Sequence, residues 1–87
     1  MSTPTIELLT KPGCHLCDEA RPVVERVVAG FEGVTLAEVS ILDDPALYDA
    51  WWEKIPVVLV DDRLVGHWRI APDRLRAALV EATRAGR

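Results

Sequence analysis

At 87 residues, 49% of them hydrophobic, the chain can bury one modest core, which argues for a single folded domain over residues 1–87 and against a disordered segment. Its formal net charge of −4 argues against nucleic acid and anionic membranes as main partners. No apolar run approaches the roughly 18 residues of a membrane-crossing helix, and Met1-Ser2-Thr3-Pro4 lacks the basic and apolar regions of a secretory leader, so a cytoplasmic location is expected.

Thr5 to Thr10 alternates around Ile6 and Leu8 and reads as a first strand, which Pro12-Gly13 breaks. From Cys14 a helical pattern sets Leu16, Ala20, Val23, Val24, Val27, Val28 and Phe31 on one side. Gly30 and Gly33 end it, and Pro22, which cannot donate to the Asp18 carbonyl, should kink it. Val34 to Ile41 is β-rich but mixed in polarity, as suits an outer strand. Asp43-Asp44-Pro45 reads as a cap with proline at the first helical position. The short helix after it carries Leu47, Tyr48, Trp51 and Trp52, simplest as packing, although one indole is a candidate to border a site.

Lys54-Ile55-Pro56 stops that helix. Val57 to Val60 is continuously apolar, as a central strand covered on both faces requires. Asp61-Asp62 suggests a hairpin turn into Arg63 to Trp68, without the favoured glycine. Ala71-Pro72-Asp73 opens a last helix with Leu75, Ala78, Leu79 and Ala82 inward. The basic tail of Arg74, Arg76, Arg84 and Arg87 reads as a solvated face with cations near the helix C-terminus. The order β-α-β-α-β-β-α implies an α/β fold: two βαβ crossovers and a terminal hairpin, giving a four-stranded mixed sheet with helices on both faces.

The chemistry concentrates in Lys11-Pro12-Gly13-Cys14-His15-Leu16-Cys17, which holds both cysteines. Two cysteines three apart on a first helical turn share a face and lie close enough to bridge. First-turn N–H groups have no intrahelical acceptors, so they and the helix dipole can stabilise a thiolate on Cys14. The thiolate is the species that attacks disulfides. In a reducing compartment a lone pair of this kind is better explained by redox chemistry or metal binding than by a structural staple. A buried core pair is the blander alternative, and the helix-start context speaks against it. Zinc would need two more ligands, and only His15 and His67 remain, so no metal site is expected from the spacing.

This order, with Cys-X-X-Cys after the first strand, resembles the thioredoxin fold, and most closely the small bacterial glutaredoxin-like proteins. Lys11 resembles the lysine that often precedes the glutaredoxin motif, Pro22 the kink proline of thioredoxins, and Ile55-Pro56 the hydrophobic-proline step before a buried strand. The resemblance implies a cis peptide at Ile55–Pro56 facing the redox pair, with the adjoining backbone docking substrate in a strand-like way. It implies a thiol–disulfide oxidoreductase in which Cys14 attacks and Cys17 resolves, with no resident cofactor and glutathione as one candidate reductant. A shared iron–sulfur cluster with glutathione as co-ligand, as some glutaredoxins form, or zinc, is the alternative use of the pair. The partners implied are a disulfide-bearing protein or a glutathionylated substrate, and a reductase or glutathione system, acting on a monomer.

Three departures from the family pattern stand out. His15-Leu16 replaces the usual Pro-Tyr or Gly-Pro between the cysteines. Gly66 is followed by His67, so the second glycine of the glutathione-holding step is missing, and Asp73 is only a candidate for its acidic group. Glutathione binding should suffer while the dithiol chemistry stays. His15, if protonated, would lower the Cys14 pKa; a fall from about 8.5 to about 7 raises the thiolate fraction at neutral pH roughly fifteenfold. Lys11 could act the same way or meet a carboxylate of glutathione. His67 reads as a strand-end surface residue, and Trp68, like the aromatics of the short helix, as packing or as a further candidate for the site's rim.

Overall fold

Alternation along Thr5–Thr10 sends Ile6 and Leu8 to one side and Leu9 to the other, and all three are buried in the computed structural model, which describes residues 3–85. This strand, β1, lies between β2 (Thr35–Ser40) and β3 (Val57–Val60), and β4 (Arg63–His67) closes the sheet in the order β2-β1-β3-β4. Every side chain of β3 is buried, as its unbroken apolar run demands of a strand covered on both faces. Met1 and Ser2 of the stretch inspected for a leader, and Arg87 of the basic tail, lie outside the described residues.

The covers come from opposite sides. Helices α1 (His15–Val28) and α3 (Pro72–Ala85) bring Val24, Val27, Leu75 and Leu79 onto Ile6, Leu8, Val58 and Val60. On the other face Leu9, Val57 and Leu59 pack with Ile41, Ile55 and Cys17, bordered by Leu47 and Trp51 of α2 (Pro45–Trp51). The parity of the strands therefore sorts the apolar residues into two cores. The fold is a mixed four-stranded α/β sandwich of the thioredoxin type.

Only one of the two expected βαβ crossovers forms. β1 and β2 are parallel, but β3 runs antiparallel to β1. The reason is length: the seven residues of α2 reach about 10 Å at ~1.5 Å per residue. The six residues of β2 span about 20 Å, so the helix cannot carry the chain back along it. The chain enters β3 near the end where β2 stopped. A 3₁₀ turn, Ile41–Asp43, takes over the last residue assigned to the outer strand.

Local signals explain the remaining ends. Asp44 caps α2, its carboxylate accepting the Ala46 N–H at 2.9 Å, with Pro45 first in the helix. Tyr48 and Trp52 are exposed and stack on each other with centroids 6.4 Å apart, so of the three α2 aromatics only Trp51 packs inward. Asp61 and Asp62 supply the two left-handed residues of the hairpin, at φ 49° and 68°. Asp61 is fixed there by two bonds with the Thr5 backbone, each 2.9 Å. In α3, Arg84 alone of the described tail arginines stands in the last turn; Arg74 lies at the helix start and Arg76 bonds Asp73.

Between β3 and β4 the pairing shifts. Val58 faces Gly66, yet Leu59 faces Leu64, so β4 holds one residue more than β3 between those pairs. Such a bulge changes which face the residues beyond it present. Here it sets His67 opposite Val57, on the side of the sheet that carries Cys17.

At the rim of the α1-side core, Arg21 reaches from α1 to Glu38 of β2 with two bonds, 2.6 and 2.8 Å, and Thr10 donates to the same carboxylate at 3.1 Å. Arg21 hydrogen bonding holds the Glu38 carboxyl below the usual carboxylate range, with Thr10 adding to the effect. A carboxyl whose folded pKa is depressed stabilises fully above the unfolded value, and that gain fades as pH falls through the folded one. Because the pair is about a third exposed, screening keeps its worth below about 1 kcal/mol. Glu38→Gln should therefore lower urea stability slightly at pH 7, and the gap to the parent should close as both are titrated toward about pH 3. A gap that persists at acid pH would show that the loss is one of packing.

Candidate redox site

The turn after β1 needs a left-handed residue, and Gly13 provides it at φ +77° with open space where a Cβ would stand. That turn delivers Cys14 to the N-cap of α1 in an extended conformation. Its sulfur accepts the N–H of Cys17 at 3.2 Å, the place a serine or aspartate oxygen takes in an ordinary cap. The Cys14 carbonyl accepts from Asp18 at 3.1 Å and starts the helix. The two cysteines, 5.2 Å apart at Cα, are joined as a disulfide.

The two sulfurs differ in surroundings. Cys17 is 0% exposed and belongs to the core with Leu9, Ile55 and Val57, whereas Cys14 is half-buried at its edge. Ile55 and Pro56 are buried beside that core and the peptide between them is cis. Among the described residues neither the N–H nor the C=O of Ile55 finds a hydrogen-bond partner. Backbone groups in folded proteins are nearly always paired, which sets this pair apart.

The other sequence candidates fall elsewhere. His15 has 88% of its side chain exposed, and the contact it makes is with Glu19 at 3.6 Å, one turn along. Lys11 is exposed and borders a hollow with Gly13, Asp18, Arg21, Glu38 and Asp43, none of which lines the groove beside Leu16. That groove is lined by Leu16, His67, Trp68 and Arg69. Trp68 sits at φ 62°, a left-handed conformation no pattern in the sequence announces for a bulky residue. Its backbone N–H donates to the Pro56 and Lys54 carbonyls, and its indole N–H to Glu53 O at 2.8 Å. Arg69 had no motif to flag it. Among the described residues no three His, Cys, Asp or Glu side chains converge as a metal site, and no helix is long and apolar enough to cross a membrane.

This arrangement has counterparts. A model of the glutaredoxin-like domain (DUF836) matches residues 5–80. The uncharacterized protein Rv0508 of Mycobacterium tuberculosis is 32% identical over 88 residues, covering 95% of this chain and 90% of that one. The X-ray structure of protein XcR50 from X. campestris superposes with a TM-score of 0.70 at 33% identity, over 88% of this chain and 97% of that one. A mutant thioredoxin from Halobacterium salinarum gives a TM-score of 0.68 at 20% identity, over 94% and 76% of the two chains, a likeness of fold.

The unequal burial predicts unequal reactivity. In the reduced protein, a limiting alkylating agent at mildly acidic pH should label Cys14 first, with Cys17 protected by its place in the core. Peptide mapping reads the order. First labelling of Cys17 would reverse the two roles.

Proposed function

The chain belongs to the glutaredoxin-like domain family, and on that premise we propose that it is a thiol–disulfide oxidoreductase working through Cys14 and Cys17. The observation that carries the reading is the Cys14 sulfur capping α1 and accepting the Cys17 N–H, in a pair that already forms a disulfide. A hydrogen bond to the charged form and the N-terminal end of a helix both favour a thiolate over a thiol. The thiolate of Cys14 attacks one sulfur of a substrate disulfide; the S–S bond breaks, a mixed disulfide forms, and the first substrate thiol leaves. Cys17, deprotonated, then attacks Cys14 Sγ, releasing the second substrate thiol. Two electrons pass to the substrate, and Cys14–Cys17 is left oxidised.

The buried Ile55 backbone, open at both its N–H and its C=O, lies where a substrate strand would run past the pair. In this reading the partners are disulfide-bearing proteins of the cytoplasm and a reductase that returns the two electrons, with the chain acting as a monomer. A zinc site built within one chain would need more ligands than the two cysteines, and among the described residues no third His, Cys, Asp or Glu converges with them.

Glutathione fits less well. His67 stands where the resembling family has its second glycine, so a close backbone approach meets a side chain. The next N–H, of Trp68, is already spent on Pro56 O at 2.9 Å. Losing two or three charge-assisted bonds of about 1.5–3 kcal/mol each would weaken binding at least a hundredfold.

The test uses two assays. A small disulfide supplied with a thioredoxin-type reductant should be turned over by the parent, and by neither Cys14→Ser nor Cys17→Ser. A glutathionylated substrate supplied with glutathione and its reductase should be turned over at least a hundredfold more slowly than by an ordinary glutaredoxin. A comparable rate, retained in Cys17→Ser, would overturn the glutathione argument.

A further inference from the structure

The groove beside the disulfide has a composition the rest of this acidic chain does not share. One end is apolar: Leu16, which with His15 separates the two cysteines, and Trp68. The indole is held at its ring N–H by Glu53 and at its backbone by Pro56, yet half of the residue, 52%, stays exposed. His67 meets its ring edge-on, with centroids 4.7 Å apart. Trp68 is thus a preformed ledge that loses little freedom on contact, the kind of aromatic anchor that dominates binding energies.

The other end is cationic. Arg69 lines this groove and two hollows that share residues with it, one with Glu19, Ala20 and Val23 on α1, the other with Gly66 of β4, Ala71 and Arg74. Among the described residues neither Arg69 nor Arg74 has a carboxylate within 4 Å, whereas Arg21 and Arg76 are both paired. Of the acids nearby, Asp73 pairs with Arg76, and Glu19 on the α1 side lies 3.6 Å from His15, a contact that is ionic only when the imidazole is protonated. Two free guanidinium groups beside an apolar ledge, in a chain of net charge −4, are complementary to an anionic chain segment.

We propose that this groove selects disulfide-bearing proteins with an acidic segment next to the target cysteine, an apolar side chain resting on Leu16 and Trp68 and carboxylates meeting Arg69 and Arg74. The proposal rests on the redox reading for its biological use, but its binding term stands alone. The extended segment runs from the open backbone of Ile55 past Trp68 toward α3.

Binding decides it without turnover. Two peptides carry serine in place of the target cysteine, followed by leucine and then by two glutamates or two lysines, and each is titrated into the intact protein. The glutamate peptide should bind about five- to tenfold more tightly at low ionic strength, since each exposed ion pair is worth a fraction of a kcal/mol up to about 1. Half-molar salt should erase most of the difference. Arg69→Glu and Arg74→Glu, both checked for parental thermal midpoints, should each reduce the preference and together reverse it. Equal affinities, or a preference that survives both substitutions, would overturn the proposal. The disulfide forms of the same peptides should show the same ratio in kcat/KM. If the parent turns over no disulfide while the binding preference holds, the redox reading fails and the groove remains.

Discussion

Two central strands buried on both faces constrain everything else in this molecule. Over most of their length β1 and β3 have no side that water can take, so the chain must supply apolar cover above and below the sheet at once. One cover is α1 with α3. The other is smaller, made of α2, the 3₁₀ turn, the residues that lead from α2 into β3 and the first turn of α1. Cys17 and Ile55 are part of this second cover, and the chemistry therefore grows out of the packing. The full burial of Cys17 and the partial burial of Cys14 reflect where the core ends.

The polar groups divide their work along the same line. The Cys14 sulfur is supported by a backbone N–H and a helix terminus, groups that a neighbour's titration cannot remove. His15, the side chain best placed in sequence to tune it, turns to Glu19 instead. Arg21 is occupied with Glu38 and Asp18, where it closes the rim of the α1-side core. Among the described residues, the cations left without a carboxylate around the groove are Arg69 and Arg74.

Legibility from the residues alone obeys the same physics. Strand β1, the N-cap at Asp44, the hairpin at Asp61-Asp62, and Leu75 and Leu79 of α3 all announced themselves, because each is fixed by a local pattern or a backbone preference. The Cys14–Cys17 pair at a helix start was legible for the same reason. The antiparallel run of β3 was not, since it turns on how far seven residues of helix can reach. Nor were the outward Tyr48 and Trp52, whose i, i+4 spacing is the same whether a helix faces a core or the solvent. The left-handed Trp68 escaped entirely. It is imposed by carbonyls at Glu53, Lys54 and Pro56, a dozen or more residues away in the chain.

The irregular pairing in β4 separates two kinds of change that evolution or a protein engineer can make. Removing the one surplus residue between the Val58 and Leu59 pairings would leave a regular ladder, with Gly66 still opposite Val58 and His67 still opposite Val57. Adding another would demand a wider bulge or turn His67 to the other face. Gly13, Cys14 and Cys17 sit on the far side of the chain's first crossover and would keep their places. The hairpin can thus lose a residue at this point, though not gain one, with His67 and the cysteine pair both left where they are.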